Sequence, residues 1–192
     1  MATQQERTRA TRARLIESFR ASVLDQGFDH TTTQRLLDET GLSKGALYHH
    51  FKSKTELMEA VYAAEAGGAI TRAMQAVPPD KPALTRLKEA CRAWLAEVQA
   101  EEVSIILFEI GPAALGFSHA RAIEDRLSTV AFDRLLAEAA ERGEIRRDPP
   151  RLIARLLNAL MAEASIAQRQ GDAGAADTVM QAVEALLDTL RP

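Results

Sequence analysis

The sequence predicts an all-α protein of about nine helices, in which an N-terminal helix-turn-helix module precedes a larger C-terminal helical domain. Three observations support this prediction. Apolar residues recur at intervals of three and four residues along most of the chain, as they do on the buried face of a helix. Residues 31–51 contain two short helical patterns separated by a glycine. A Pro-rich break at residues 77–82 divides the chain into a smaller and a larger part.

The composition is that of a globular protein with enough apolar residues to bury a sizeable core: 46% of the 192 residues are hydrophobic and 27% are charged. The longest apolar runs, such as residues 103–108, are far shorter than the roughly 20 residues that span a bilayer. The N-terminus is polar and lacks the apolar core of a signal peptide. We therefore expect a cytoplasmic protein without membrane association. The single cysteine, Cys91, excludes an internal disulfide and a multi-cysteine zinc site.

The charge is distributed unevenly along the chain. The formal net charge is −3, but residues 1–60 carry nine Lys or Arg against eight Asp or Glu, whereas residues 61–192 carry 15 against 19. Within the first 24 residues, Glu6 and Glu17 face five arginines, which are Arg7, Arg9, Arg12, Arg14 and Arg20. Such a segment can lie along phosphates or enter a minor groove, and a solvated terminus without a partner is the alternative.

The first helix is expected from about Thr11 to Gly27, with residues 1 to about 8 frayed. Its inward positions follow a helical spacing and support the two helices that come next: Leu15, Ile16, Phe19, Val23 and Leu24.

The two helices of the helix-turn-helix are expected within residues 31–50. Thr31 with Gln34 has the spacing of a capping box at the start of the first helix. Gly41 can adopt the positive φ that ends this helix, and Ser43 is a favourable N-cap for the second.

The second of these helices directs Leu42, Leu47 and Phe51 inward. Its outward residues suit a polyanion, because lysine and tyrosine can donate hydrogen bonds and small residues permit close approach to a major groove. These outward residues are Lys44, Gly45, Ala46, Tyr48 and His49. From spacing alone, a plain helical hairpin remains an equal alternative.

The residues themselves resemble a known motif. Residues 41–54 read GLSKGALYHHFKSK. This run is similar to the DNA-binding motif of tetracycline-repressor (TetR) family regulators, whose second half typically reads G-[VL]-S-x-G-x-L-Y-x-H-F-x-[SN]-K, and every fixed position is filled. One departure is Leu36-Leu37, where the family usually has Ile-Ala; we expect a repacked contact between the two helices and retained function.

The resemblance implies a dimeric transcriptional regulator, expected to be a repressor, that binds a near-palindromic double-stranded operator and is released from it by a small molecule. The predicted DNA-binding residues are Thr32, Thr33, Gln34, Ser43, Lys44, Gly45, Ala46, Tyr48, His49 and Lys54. Lys54 is included because it stands at the start of the fourth helix, where free backbone donors also suit phosphate.

The predicted domains are residues 1–52, which form the DNA-binding module, a connecting helix at 53–76, and a ligand-binding and dimerisation domain at 77–192. Ser53 and Glu56 have capping-box spacing at the start of the connecting helix. The further helices are expected at 83 to about 100, 103–110, 118–142, from the pair Asp148-Pro149 to about 170, and from about 172 to 190. Ser118 is the expected cap of the long helix, after a glycine-flanked loop at 111–116. Residues 103–110 are short enough for a strand, but no other segment offers a pairing partner, so a buried helix is favoured.

The last two helices carry more apolar residues than a single buried face requires. Burial of both helices in the chain's own core is one interpretation. The resemblance implies instead that this helix pair joins a second subunit in a four-helix bundle. The predicted dimer contacts are Leu156, Leu160, Val179, Val183, Leu186 and Leu190.

A ligand pocket is expected near aromatic residues around the Gly111-Pro112 segment, although ordinary core packing is the alternative. The candidate lining residues are Trp94, Phe108, Leu115, Phe117 and Phe132. Few cationic residues lie in these segments, so the ligand is expected to be largely apolar and uncharged or weakly polar.

No catalytic, metal-binding or cofactor-binding pattern is recognisable. His49 and His50 are adjacent and cannot both bind one metal from a helix. The sequence contains no Gly-rich phosphate loop, nucleophile elbow or carboxylate pair. We therefore expect no enzyme activity and no cofactor. The alternative function is an all-α protein-interaction module that does not bind an operator.

Overall fold

The computed structural model describes residues 3–146 and 152–192, and all regular structure within them is helical. The helices are α1 Gln4–Gln26, α2 Thr33–Thr40, α3 Lys44–His50, α4 Lys54–Gln75, α5 Ala83–Glu97, α6 Glu101–Ile105, a π-helical turn at Ile106–Ile110, α7 Gly111–Leu115, α8 Phe117–Glu141, α9 Leu152–Arg169 and α10 Ala175–Asp188. Because α6, the π-helical turn and α7 follow one another without a break, the described chain has nine helical runs. The predicted all-α class is confirmed.

The chain divides into two compact units. Unit 1 contains Met1–Glu65 and Ser104–Arg121, and unit 2 contains Ala66–Val103 and Ala122–Pro192. These units are defined by packing. The functional division predicted from the sequence, with residues 1–52, 53–76 and 77–192, remains a prediction.

Helix α1 begins earlier than expected, at Gln4. The amide of Thr3 donates to Glu6 Oε2 at 2.5 Å and the amide of Glu6 donates to Thr3 Oγ1 at 3.2 Å. This reciprocal capping box satisfies amides at the helix start, so the expected fraying is wrong for residues 4–8. The helix ends as predicted at Gly27, whose φ is 81°.

Helix α2 starts close to Thr31 or Thr32, as expected, but its cap differs from the expectation. Its N-cap is Thr32, whose hydroxyl accepts from the Arg35 amide at 3.2 Å. Thr31 is buried instead, and its hydroxyl donates to the carbonyls of Ser22 and Gly27. The predicted Thr31–Gln34 capping box is therefore wrong, because the Thr31 hydroxyl ties the loop to α1.

Most of the predicted inward positions of unit 1 are buried, namely Leu15, Phe19, Val23, Leu47 and Phe51. The other three, Ile16, Leu24 and Leu42, are half-buried. Leu36 of α2 and Leu57, Met58, Val61 and Tyr62 of α4 are buried as well, so four helices contribute to the buried interior of unit 1.

Residues 103–115 form a longer helical segment than predicted. The expected buried helix at 103–110 is present and contains the π-helical turn. The expected loop at 111–116 is wrong, because α7 continues to Leu115 with Pro112 in its first turn, where proline is tolerated. Gly116, with φ 82°, ends this segment. Ser118 is not a cap, because α8 begins at Phe117 and the amides of His119 and Ala120 donate to the Gly116 carbonyl.

Unit 2 is a helical bundle with one continuous apolar core, to which α5, α8, α9 and α10 contribute. The Pro-rich break is present, and α5 begins after Pro82. The Glu144 carboxylate accepts from the amides of Ala83 and Leu84 at 2.8 and 2.9 Å, which caps α5 from a distant part of the sequence. The predicted cap pair Asp148-Pro149 lies outside the described residues.

Candidate nucleic-acid interface and an internal cavity

The turn between α2 and α3 has the local chemistry predicted from the sequence. Gly41 adopts a left-handed conformation with φ 64°, and its amide donates to the Leu37 carbonyl at 2.8 Å. The Ser43 hydroxyl accepts from the Ala46 amide at 3.2 Å and caps α3. A left-handed glycine and an N-cap two residues later therefore set the angle between the two helices.

Helix α3 has one buried and one exposed face. Leu47 and the following Phe51 are buried, whereas the side chain of Tyr48 is 43% exposed. Lys44, Gly45 and His49 are also exposed, and Ala46 is half-buried. A Cβ added at Gly45 would meet only the Ser43 hydroxyl, at 3.9 Å. Nothing inside the chain therefore requires glycine there.

The exposed face of α3 combines a cation with a ring. The Lys44 ammonium lies 5.9 Å from the centroid of the Tyr48 ring. Burial lowers the pKa of His50 below its ordinary value of 6.5, and the nearby His49 and Arg12 lower it further. The lowered pKa favours the neutral form of His50 at neutral pH.

Helix α2 is held against α1 through Glu39. The Glu39 carboxylate accepts from the hydroxyls of Ser18 and Ser22 at 3.2 and 3.0 Å, and pairs with Arg35 at 2.7 Å. The hydrogen bond from Arg35 lowers the pKa of Glu39, and that from Ser22 lowers it further. The hydrogen bond to Glu39 likewise raises the pKa of Arg35. The sequence analysis did not detect this link between helices.

The predicted contacts on α2 are accessible in different degrees. Thr32 and Gln34 are exposed and Thr33 is half-buried. The Gln34 amide donates to Asp38 at 2.9 Å, within the same helix. The role of these three residues in DNA binding remains a prediction.

Lys54 is engaged within unit 1. Its ammonium donates to the Asp29 carbonyl at 3.2 Å and lies 4.3 Å from the centroid of the Phe28 ring. An ammonium has three N–H donors, so this bond leaves donors for a phosphate. The start of α4 is less open than expected, since Ser53 accepts from the Glu56 amide and Glu56 accepts from the Lys52 amide.

Unit 2 contains an internal cavity of about 40 Å³. Its described lining residues come from α4, α5, α8 and α9, and are Ile70, Ala73, Met74, Leu87, Ala90, Cys91, Trp94, Ser128, Ala131, Phe132, Leu135, Asn158 and Met161. The lining is mostly apolar. Burial raises the pKa of the Cys91 thiol to about 12, so this thiol is neutral.

The structure brings together only part of the predicted ligand site. Trp94 and Phe132 both line the cavity. Phe108, Leu115 and Phe117 belong to unit 1 and are not among the described lining residues, and Phe117 is 66% exposed. The five-residue prediction joined segments that pack in different units because it assumed a loop at residues 111–116.

Asn158 is the buried polar group of the cavity lining. Its Nδ2 donates to the Asp125 carboxylate. Because an ionised carboxylate only accepts hydrogen bonds, this contact fixes the amide orientation and directs the carbonyl oxygen of Asn158 away from Asp125.

The predicted dimer residues lie on two different faces. Val183 and Leu190 are 0% and 1% exposed and Val179 is also buried, so these three side chains belong to the chain's own core. Their assignment as subunit contacts is corrected accordingly. Leu160 and Leu186 are half-buried against that core, whereas Leu156 is 41% exposed. The sequence analysis missed Leu152, which is 55% exposed one turn before Leu156.

Two helices joined by a left-handed glycine, with a short second helix that exposes a lysine and small residues, define the class of helix-turn-helix proteins. Comparison with known proteins identifies the family. Residues 84–190 match the family described as "Tetracyclin repressor-like, C-terminal domain", and residues 16–61 match "Bacterial regulatory proteins, tetR family". The chain belongs to the TetR family.

Individual proteins that are similar to this chain in sequence or structure are described as transcriptional regulators. An uncharacterized HTH-type transcriptional regulator of Mycobacterium tuberculosis is 27% identical over 115 residues, which cover 58% of this chain and 57% of that protein. The HTH-type transcriptional repressor KstR2 of Mycolicibacterium smegmatis is 38% identical over 50 residues, 26% of this chain and 24% of that protein. The chain thus spans little more than half the length of the first of these relatives. A TetR-family transcriptional regulator from Pectobacterium atrosepticum has a similar crystal structure, with a TM-score of 0.73, 26% identity and coverage of 99% of this chain and 98% of that one.

Proposed function

We propose that this chain is a cytoplasmic, sequence-specific DNA-binding transcriptional regulator. The observation that carries the proposal is the exposed face of α3, which presents Lys44, Gly45 and Tyr48 to solvent. Membership of the TetR family supports the same function. Repression is the proposed direction, because the mycobacterial relative KstR2 is named a repressor.

The described residues offer little support for other classes of function. Within residues 3–146 and 152–192, no group of three His, Cys, Asp or Glu side chains is placed to hold a metal ion. None of the helices in these ranges is long and apolar enough to cross a membrane. The remaining alternative is a helical interaction module that binds no operator, and the family match does not favour it.

Helix α3 is proposed to enter the major groove. Its narrow surface at Gly45 and Ala46 permits close approach, while Lys44 and Tyr48 can donate to base edges. Lys54 is proposed to bind a phosphate with the donors that its contact to Asp29 leaves available.

Selection of bound fragments from genomic DNA, followed by fluorescence anisotropy at several salt concentrations, tests this proposal. Lys44→Ala should change the preferred sequence, because it removes a base-reading donor. Lys54→Ala should weaken all sequences alike and lower the salt slope by about one. Lys81→Ala is the matched control, since Lys81 pairs with Glu89 in unit 2. Binding without salt dependence, or absence of binding, would favour the interaction module.

A homodimer is the proposed assembly. Leu152 and Leu156 are large exposed hydrophobic residues one turn apart on α9. On α10 the exposed positions include Ala182 and Ala185. Small side chains on one helix and leucines on the other suit close antiparallel or crossed helix packing, in which leucines fill the space above alanines. Two modules related by a two-fold axis should bind half-sites about 34 Å apart or a multiple of that distance.

The cavity of unit 2 is the proposed effector site. Its volume of about 40 Å³ is far below the roughly 300–1,000 Å³ of typical small-molecule pockets. A small organic molecule therefore requires the lining helices to separate. Helix α4 supplies Ile70, Ala73 and Met74 to this lining, and its residues before Ala66 belong to unit 1. We propose that effector binding displaces α4 and so lowers operator affinity.

The effector is proposed to be compact, uncharged and largely apolar, with a hydroxyl or N–H that donates to the Asn158 carbonyl. None of the described lining residues carries a charged side chain. Thermal melting against a panel of neutral, anionic and cationic ring compounds tests this class.

Asn158→Leu should abolish stabilisation by neutral donors, and Ala131→Phe should prevent release from the operator by filling the cavity while leaving operator affinity nearly unchanged. Ala114→Phe in unit 1 is the control for the added ring. Stabilisation by anions, or unchanged release in Ala131→Phe, would contradict this assignment.

A further inference from the structure

Four arginines occupy the first turns of α1, before its first buried residue, Leu15. They are Arg7, Arg9, Arg12 and Arg14. None of them forms an ion pair with a described acidic side chain, although two other arginines of unit 1 do. Arg20 pairs with Glu65 at 2.6 Å and Arg35 pairs with Glu39 at 2.7 Å.

These turns are held in a helical conformation by their own polar side chains. Thr3 and Glu6 form the capping box, and the Thr8 hydroxyl donates to the Gln4 carbonyl at 2.9 Å. Glu6 is the acidic residue within 3–16, and its carboxylate accepts a hydrogen bond from the Thr3 amide. The helix extends from Gln4 to Leu15 for roughly 16 Å, at 1.5 Å per residue, with an excess of positive charge.

The arginines stand on two flanks of this extension. At 100° per residue, Arg7 and Arg14 share one flank, while Arg9 and Arg12 lie on the other side of the direction defined by Leu15. The Arg12 guanidinium lies 4.9 Å from the centroid of the Phe51 ring, and Phe51 directly follows α3. The basic turns of α1 and the end of α3 therefore adjoin within unit 1.

We propose that the first three turns of α1 form a second DNA contact, in which Arg7, Arg9 and Arg14 bind backbone phosphates beside the base pairs read by α3. This inference rests on the proposed operator binding. A guanidinium can donate two parallel hydrogen bonds to a phosphate. These three arginines can do so without first breaking an ion pair to a described carboxylate of the chain. An α-helix is about 10 Å wide and the minor groove about 6 Å, so the helix lies along the backbone and reads no bases.

The test replaces Arg7, Arg9 and Arg14 together by Gln, which keeps helix propensity and removes three charges. Arg12 is retained because it packs on Phe51. Fluorescence anisotropy titrations are made on the selected operator and on a scrambled duplex, at salt concentrations from about 0.05 to about 0.3 M. They give the slope of the logarithm of affinity against the logarithm of salt concentration.

Each lost phosphate contact should lower the magnitude of the slope by about 0.9, so the three substitutions should lower it by about 2.7 for each bound protomer. This corresponds to roughly a hundredfold loss of affinity per protomer at about 0.15 M salt. The ratio of operator to scrambled affinity should stay unchanged. The triple Arg→Lys variant should retain most of the slope, because the contact is electrostatic.

The matched control replaces three exposed arginines of unit 2 by Gln, namely Arg126, Arg134 and Arg155, which changes the net charge equally. A wild-type slope in the α1 variant, or an equal loss in the control, would refute the contact. A lower operator-to-scrambled ratio would show base reading and refute the phosphate assignment. If the wild-type chain shows no salt-dependent binding to any duplex, both the proposed function and this contact are refuted. If the wild-type chain shows salt-dependent binding and the α1 variant has the same slope, only the contact is refuted.

Discussion

Replacement of Gly111 by alanine should destabilise the protein for a steric reason. The φ of Gly111 is −59°, an ordinary helical value that alanine adopts readily. A Cβ at this position would nevertheless lie 2.2 Å from Cδ2 and 2.5 Å from Cε2 of Tyr62, and 2.6 Å from the Ile106 carbonyl oxygen. Favourable contacts between carbon atoms require about 3.5–4.0 Å, so the ring must move by more than about 1 Å.

The Tyr62 ring has little freedom to move. It is buried, and its hydroxyl donates to the Leu107 carbonyl at 3.4 Å. Added atoms in a packed core typically cost about 1–3 kcal/mol, against a helix-propensity gain of up to about 1 kcal/mol for alanine over glycine. We expect a net loss of about 1–2 kcal/mol in the free energy of unfolding, or roughly 2–8 °C in Tm for a chain of this size.

Gly67→Ala is the matched control, because Gly67 also lies in a helix and a Cβ there meets nothing within 4 Å. It should stabilise the protein by about 0.5–1 kcal/mol. Urea denaturation and thermal melting would measure both variants. In a Tyr62→Ala background the cost of Gly111→Ala should fall, because the overlap with the ring is removed and only the close contact with the Ile106 carbonyl oxygen remains. A Gly111→Ala variant as stable as the wild type, or an equal cost without the ring, would refute the steric argument.

Three further predictions concern assembly, pH and reactivity. Leu156→Asp should yield monomers by light scattering, whereas Val130→Asp, at a position 68% exposed on α8, should leave the mass of a dimer. Because the pKa of Glu39 is lowered from 4.5 by its bond to Arg35, its stabilising contribution is present above pH 4.5 and is lost as the pH falls through the lowered pKa. The Tm difference between wild type and Glu39→Gln should accordingly be present at neutral pH and vanish in acid; a difference that persists in acid would contradict the pKa shift. With its pKa raised to about 12, Cys91 should react with a thiol reagent at pH 8 only as fast as the chain unfolds, and rapid labelling of the folded protein would disprove its burial.

The features that the sequence predicted well depend on local backbone chemistry. Gly41 ends α2 because it accepts a left-handed conformation, and Ser43 caps α3 because its hydroxyl reaches an amide three residues later. Both effects act within a few residues, so spacing alone was sufficient to locate them. The resemblance of residues 41–54 to a family motif then supplied the function that spacing left open.

The features that were predicted wrongly depend on contacts between distant residues. Thr31 and Thr32 can each cap a helix, and the choice follows from the bond that Thr31 donates to Ser22 in α1. Gly111-Pro112 resembles a helix terminator, but glycine is required there because the Tyr62 ring occupies the space of a Cβ. A sequence pattern contains no information about which distant side chain fills that space.

The proposed dimer face illustrates the same limit. Helix α9 has apolar residues on more than one side, and periodicity cannot distinguish a side that faces the chain's own core from one that faces a partner. The structure separates them, since Ile153 and Leu157 are buried whereas Leu152 and Leu156 are exposed. Full burial of an exposed leucine is worth about 1.5–3 kcal/mol, and each of these two is about half exposed, so covering both on each of two subunits contributes about 3–6 kcal/mol. Micromolar binding requires about 8 kcal/mol. Of the contacts that the resemblance implied, we therefore retain Leu156, add Leu152, and assign Val179, Val183 and Leu190 to the chain's own core.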